Sequence, residues 1–287
     1  MERRDAAAQR IAERRAAATE RVSEARVAAT ERVSDARDSA AEARAAAAER
    51  VADAKAAATE RVADAKDAAA EFIARTKPRF RGRSHEWAFF LFLGLGVTLF
   101  LAADGSEARL AAGIYAASLT ALFGVSALYH RIDWKRPAAR AWMRRLDHTM
   151  IFFLIAGTIT PFALLVMDGP LATALLIAVW TGAAAGTVVE VVWVERPKWV
   201  SSVVYLIVGW IGALGFPAIV IESGAIAGVL IVTGALLYTA GAVVYATGRP
   251  DPAPATFGYH EIFHAFVIAA AASHFAAIAF FALPAAT

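Results

Sequence analysis

The chain has 287 residues, 59% of them hydrophobic and 19% charged, against roughly 45–50% and about 25% in ordinary globular chains. With a mean hydropathy of +0.50, this balance points to a membrane protein, and the absence of cysteine excludes a disulfide framework, a zinc ribbon, a thiol nucleophile and a lipidated cysteine. The net charge of +3 averages two unequal parts: residues 1–83 hold 19 Lys/Arg and 15 Asp/Glu, and the other 204 residues hold 10 and 11.

Residues 16–77 follow an 11-residue repeat: AAATERVSEAR (16–26), VAATERVSDAR (27–37), AAAAERVADAK (45–55), AAATERVADAK (56–66) and DAAAEFIARTK (67–77), interrupted by DSAAEAR (38–44). Most of these residues are strong helix formers, and neither Gly nor Pro occurs before Pro78, so a long helix is expected. Eleven residues over three turns keep one stripe nearly straight along a helix. That stripe is Ala with one Val per repeat, at Val22, Val33, Val51 and Val62, too thin for a strong coiled coil. A solvated helical extension is the favoured reading. Self-association through a weak coil comes second, and a surface-lying helix anchored by Phe72 and Ile73 third. The charged start lacks an apolar stretch, so no secretory signal is expected. Lys77, Arg79, Arg81 and Arg83 suit a membrane surface better than a nucleic acid.

Seven apolar stretches follow, at about 87–103, 109–130, 148–167, 171–194, 200–221, 225–246 and 260–283. Each has the roughly 17–25 residues that a membrane helix needs. Residues 84–287 are therefore expected to form an all-α, seven-transmembrane helix bundle, preceded by the extension 1–83. Nine Lys/Arg lie in the 2–3, 4–5 and 6–7 loops, and only Arg109 lies opposite. A cytoplasmic N-terminus and an external C-terminus in the cell membrane are expected.

Ionisable residues inside spans are functional candidates by default. Ser126 and His130 end the second span, Asp147 and His148 open the third, Glu190 ends the fourth, and His260, Glu261 and His264 open the seventh. By parity all meet the inner leaflet. His260 and His264, at i,i+4, share a helix face. His130, His260 and His264 then match a catalytic zinc site with one open position, Asp147 could deprotonate its water, and Ser126 could bind an oxyanion. His274 reads as a packing residue. His85 and His148 read as solvated interface residues, and Trp87, Trp134, Trp142, Trp193 and Trp199 as an aromatic belt. His260-Glu261-Ile262-Phe263-His264 also fits the H-E-x-x-H protease signature, though in the last span rather than an early one.

S-A-L-Y-H-R (126–131), R-R-L-D-H-T-M-I-F-F-L-I-A-G-T-I-T-P-F (144–162) and G-Y-H-E-I-F-H (258–264) resemble the bacterial hemolysin III family, within the progestin and adipoQ receptor superfamily. The resemblance covers about residues 84–287. It implies zinc held by the residues matching His130, His260 and His264, with Asp147 by the zinc-bound water and Ser126 in the site. Alkaline ceramidases share a similar Ser/His, Asp and His/His arrangement, which implies hydrolysis of a lipid amide or ester. The expected partners are membrane lipids, with a lipid substrate at the inner leaflet and no nucleic acid. A non-catalytic membrane-homeostasis or receptor-like role with structural zinc is the main alternative, and a pore-former or an intramembrane metalloprotease ranks lower. Glu261 has Gln in its place in the adiponectin receptors, which weakens a general-base role. Many hemolysin III proteins carry a polar Asn/Thr/His motif in the first span, where this chain has only Ser84-His85-Glu86 before it.

Overall fold

The computed structural model describes residues 2–75, 78–193 and 196–286. Lys77 of the basic patch and Val194 at the end of the fourth apolar stretch lie outside the described residues, as do the side chains of Phe72 and Ile73. Chain contacts divide the protein into two units, Met1–Ala74 and Arg75–Thr287.

The first unit is α1 (Glu2–Arg75), 74 residues and so about 110 Å of helix. Its described side chains between residues 19 and 64 are all exposed. Thr30 and Thr59 return their hydroxyls to the carbonyls of Arg26 and Lys55, each at 2.8 Å. Polar groups and repeat positions alike are thus satisfied by the helix itself or by solvent.

The second unit contains α2 (Arg83–Ala102), α3 (Gly105–Arg131), α4 (Pro137–Leu165), α5 (Gly169–Val192), α6 (Lys198–Ile211), α7 (Phe216–Thr247) and α8 (Tyr259–Ala277). Proline opens α4, and Pro170 and Pro217 lie in the first turns of α5 and α7, where the missing N–H costs nothing. Apolar side chains such as Leu101, Ile177, Val192, Ile207 and Ile221 point outward. That suits lipid, because the helices satisfy their own backbone groups. Trp87, Trp142, Trp193 and Trp199 are also exposed.

Counted by length and hydropathy, six stretches among the described residues can cross a membrane, where seven were expected. The difference lies in Lys198–Thr247, which counts as one stretch of 50 residues. A straight helix of that length would run about 75 Å, more than twice the hydrocarbon core. The stretch is not straight. A 3-10 segment at Gly212–Gly215 carries α6 on into α7 with helical backbone angles, and the helix breaks at Gly224, which has φ 86°, ψ 169°, a conformation that needs glycine. Trp210 Nε1 donates to Thr239 Oγ1 at 3.3 Å, although 29 residues of straight helix would hold them about 43 Å apart. The stretch therefore doubles back on itself.

Consecutive helices pack side by side, and α8 lies against α7 and returns to α2. The main core joins Phe92 of α2, Tyr115, Leu119 and Phe123 of α3, Leu154 and Phe162 of α4, and Val267 and Ala271 of α8. This closure brings the end of α3 beside the starts of α2, α4 and α8.

Candidate metal centre

His130 lies on the last turn of α3, and His260 and His264 lie on the first two turns of α8. All three are buried, and one ligand atom from each falls within 4.8 Å of the others. This group could hold a metal ion. His130 Nε2 and His260 Nε2 are 3.1 Å apart, close to the roughly 3.3 Å between two imidazole nitrogens on one tetrahedral ion with 2.0–2.1 Å bonds. His264 Nδ1 is buried with no hydrogen-bond partner. Two nitrogens turned toward one another, with a third imidazole beside them, fit the donor set of a cation site.

Asp147 opens the membrane part of α4 and is buried, with Oδ2 3.7 Å from His130 Nε2. Ser126, one turn before His130 on α3, bonds His85 Nδ1 at 2.8 Å. The closure of the bundle thus brings together all five residues singled out from the sequence: Ser126, His130, Asp147, His260 and His264.

His85 departs from its expected place. It is buried, and its ring stacks on His264 with centroids 3.6 Å apart and planes at 9°. The packing of α2 between α3 and α8 turns this side chain inward, where it supports one imidazole of the trio and bonds Ser126. The sequence signals were its position beside the first span, without a spaced partner, and the polar Asn/Thr/His motif that the resembled family carries there.

The backbone before α2 is equally constrained. Gly82 has φ +77°, and a Cβ there would lie 2.5 Å from His130 Cβ. A residue without chemistry of its own thus leaves room for a ligand candidate. Arg79 N–H and Phe80 N–H donate to the carbonyls of Ala255 and Thr256 at 3.1 and 3.2 Å, tying this segment to the loop before α8.

Glu261 turns away from the three imidazoles. Its Oε2 accepts the Gly258 N–H at 2.9 Å, and its Oε1 accepts from Arg81 Nε at 2.6 Å. It caps the first turn of α8 and neutralises Arg81. A protease of the H-E-x-x-H type needs that carboxylate at the metal-bound water.

Glu190 is buried in a separate polar group. It pairs with Arg196, lies 3.4 Å from His148 Nδ1, and accepts from Tyr205 Oη at 3.0 Å. Partial burial lowers the pKa of the Arg196 guanidinium, which remains cationic because arginine titrates so far above neutrality. His148 Nε2 is 3.2 Å from Tyr245 Oη, so His148 too is structured rather than solvated. No short motif marks this group.

Two cavities meet at the trio. One, of about 330 Å3, runs among Leu154, Ile159, Phe162, Leu206 and Phe216 and reaches His85, Ser126, Asp147, His260 and His264. The other, of about 200 Å3, is polar and is lined by His130 and His260 among others. His274 lies far along the first cavity, with Nε2 3.1 Å from the Ile231 carbonyl and Nδ1 buried without a partner.

The haemolysin-III related family model matches residues 73–275. The chain belongs to that family, part of the progestin and adipoQ receptor group. It is 31% identical to Hemolysin-3 of Bacillus cereus over 182 residues, 63% of this chain and 80% of the relative. It is 31% identical to the Hemolysin-3 homolog of Bacillus subtilis over 168 residues, 58% and 75% of the two chains. The human monocyte to macrophage differentiation factor is 32% identical over 180 residues, 61% and 71%. Membership and the set of long apolar helices make this a multi-pass membrane protein.

Proposed function

We propose that the protein is a seven-span, zinc-dependent hydrolase of lipid amide or ester bonds, with its site at the cytoplasmic face. The observation that carries this reading is the convergence of His130, His260 and His264 with Asp147 at the end of the apolar cavity. The doubling back of Lys198–Thr247 supports two crossings there, and the nine basic loop residues support a cytoplasmic N-terminus.

Two imidazoles from one helix and a third from another, with oxygen donors beside them, suit zinc. Bound zinc would supply Lewis acidity and a water-derived nucleophile at neutral pH. The chain's own groups do the rest. The apolar cavity holds an acyl chain and excludes bulk water from the carbonyl at its end. Asp147 accepts the proton of the attacking water and passes it to the departing nitrogen or oxygen as the acyl bond breaks. Ser126 donates to the carbonyl oxygen as charge develops there. His85 holds the Ser126 hydroxyl and the His264 ring in place.

Metal analysis of the purified protein tests the ligand set: wild type should hold about one equivalent of zinc, and His130→Ala should hold almost none. Equal zinc in the two would overturn the assignment. Asp147→Asn should keep zinc and stability but lose turnover of an acylated-lipid panel. A second reading, structural zinc without turnover, draws on the same contacts, because an ion there would staple α3 to α8. It wins if wild type holds zinc and turns over no lipid. The engagement of Glu261 with Gly258 and Arg81 weighs against a protease, which predicts that Glu261→Gln is inactive.

A further inference from the structure

The polar cavity on the other side of the trio has a strongly biased lining. Arg81, Arg144, Arg145, Arg196 and Lys198 face it, and Glu190 is the single carboxylate among its lining residues. Glu190 is engaged by Arg196, and Arg81 by Glu261 outside the lining. Arg145 and Lys198 have no carboxylate partner among the described residues. The Arg145 guanidinium stacks 4.6 Å above the Trp142 ring, and its Nε is buried without a hydrogen-bond acceptor. Lys198 Nζ donates to Tyr259 Oη at 2.5 Å and stands 4.7 and 5.8 Å from the Tyr259 and Tyr245 ring centres. Aromatic rings therefore position both cations, while their charge goes unneutralised. Lys198 is exposed and Arg145 half-buried, so the attraction comes from the clustering of like charges around one cavity, and planar guanidinium donors match phosphate oxygens.

This cavity shares His148, Tyr245 and His260 with the apolar one. A molecule that filled both would carry an anion at one end and a hydrocarbon chain at the other, with the atoms between passing the three histidines. We propose that the cavity is a phosphate site, and that the protein takes acyl lipids bearing a phosphate group close to the acyl linkage. The anion site stands on the cationic lining alone. The placement of the linkage at the trio rests on the hydrolase reading above.

The full chain in uncharged maltoside micelles can be tested with three probes: 1-oleoylglycerol 3-phosphate, its neutral counterpart 1-oleoylglycerol, and inorganic phosphate. Binding is read by displacement of a fluorescent acylglycerol phosphate, without turnover. The phosphorylated lipid should bind at least about tenfold more tightly than the neutral one. Lys198→Met and Arg145→Gln should each reduce that preference to about threefold or less. Lys198→Arg, which keeps the charge, should retain it, and separates loss of the cation from loss of the fold. Equal affinity for the two lipids would overturn the site, as would a preference that survives removal of both cations. Displacement by inorganic phosphate as effective as by the phosphorylated lipid would overturn the lipid as the source of the phosphate. If the preference holds while no lipid is turned over, the hydrolase reading fails and the anion site stands. If neutral lipids are turned over without any preference, the reverse is true.

Discussion

Val22, Val33, Val51 and Val62 of α1 are 52–68% exposed, while Val179 of α5 and Val267 of α8 are 0% and 5% exposed. Both regions are helical, and both have a regular apolar pattern. In α1 the pattern is thin: one valine per 11 residues among alanines offers little apolar surface to bury. In the bundle, aromatic and branched residues interleave, as where Phe92 stacks on Phe123 at 5.2 Å. Periodicity alone makes a helix. Bulk at the periodic positions makes a core, and only a core holds polar groups in fixed relation.

Four substitutions put the two regions to the test. The largest effect is expected from His264→Ala, which removes one of three buried imidazoles. Metal content should fall from about one equivalent to under a tenth, read by elemental analysis of purified protein. Gly82→Ala comes next. Its methyl would press on His130 Cβ from a backbone at φ +77°, so zinc affinity should fall about 10–100-fold with every ligand intact. Competition with a zinc chelator checks this, and unchanged affinity would show that the loop yields freely. His85→Phe keeps a flat ring over His264 but loses the bond to Ser126. A loss of about tenfold in affinity or turnover is expected, smaller than for either preceding change. The smallest effect belongs to α1: Ala47→Gly should cost about 1 kcal/mol of local helix stability. Far-UV circular dichroism of the extension should register it while zinc content stays constant; a change in zinc would tie the repeat helix to the site.

Some of this was legible in the residue string. His260 and His264 share a face by helical spacing alone, as do Ser126 and His130, and the order of spans brings these pairs to one depth. His85 was not legible, because a single residue without a spaced partner has no face until α2 packs between α3 and α8. Arg81 was read as part of a surface patch because nothing local says that Glu261, 180 positions away, will receive it. The partners of Glu190 likewise come from three separate segments. The seven-stretch count met a different obstacle: the reversal at Gly224 lies inside α7 and is so short that length and hydropathy run Lys198–Thr247 together.

The wide separation of the three histidines along the chain also sets an order in time. One stands at position 130, and the other two arrive with the helix that begins at Tyr259. A nascent chain halted anywhere before that helix has only one imidazole of the three, His130, and no means of gripping an ion at its full strength. An ion held by all three would therefore have to arrive after α8 is in place. Occupancy would then report that α8 has packed against α3.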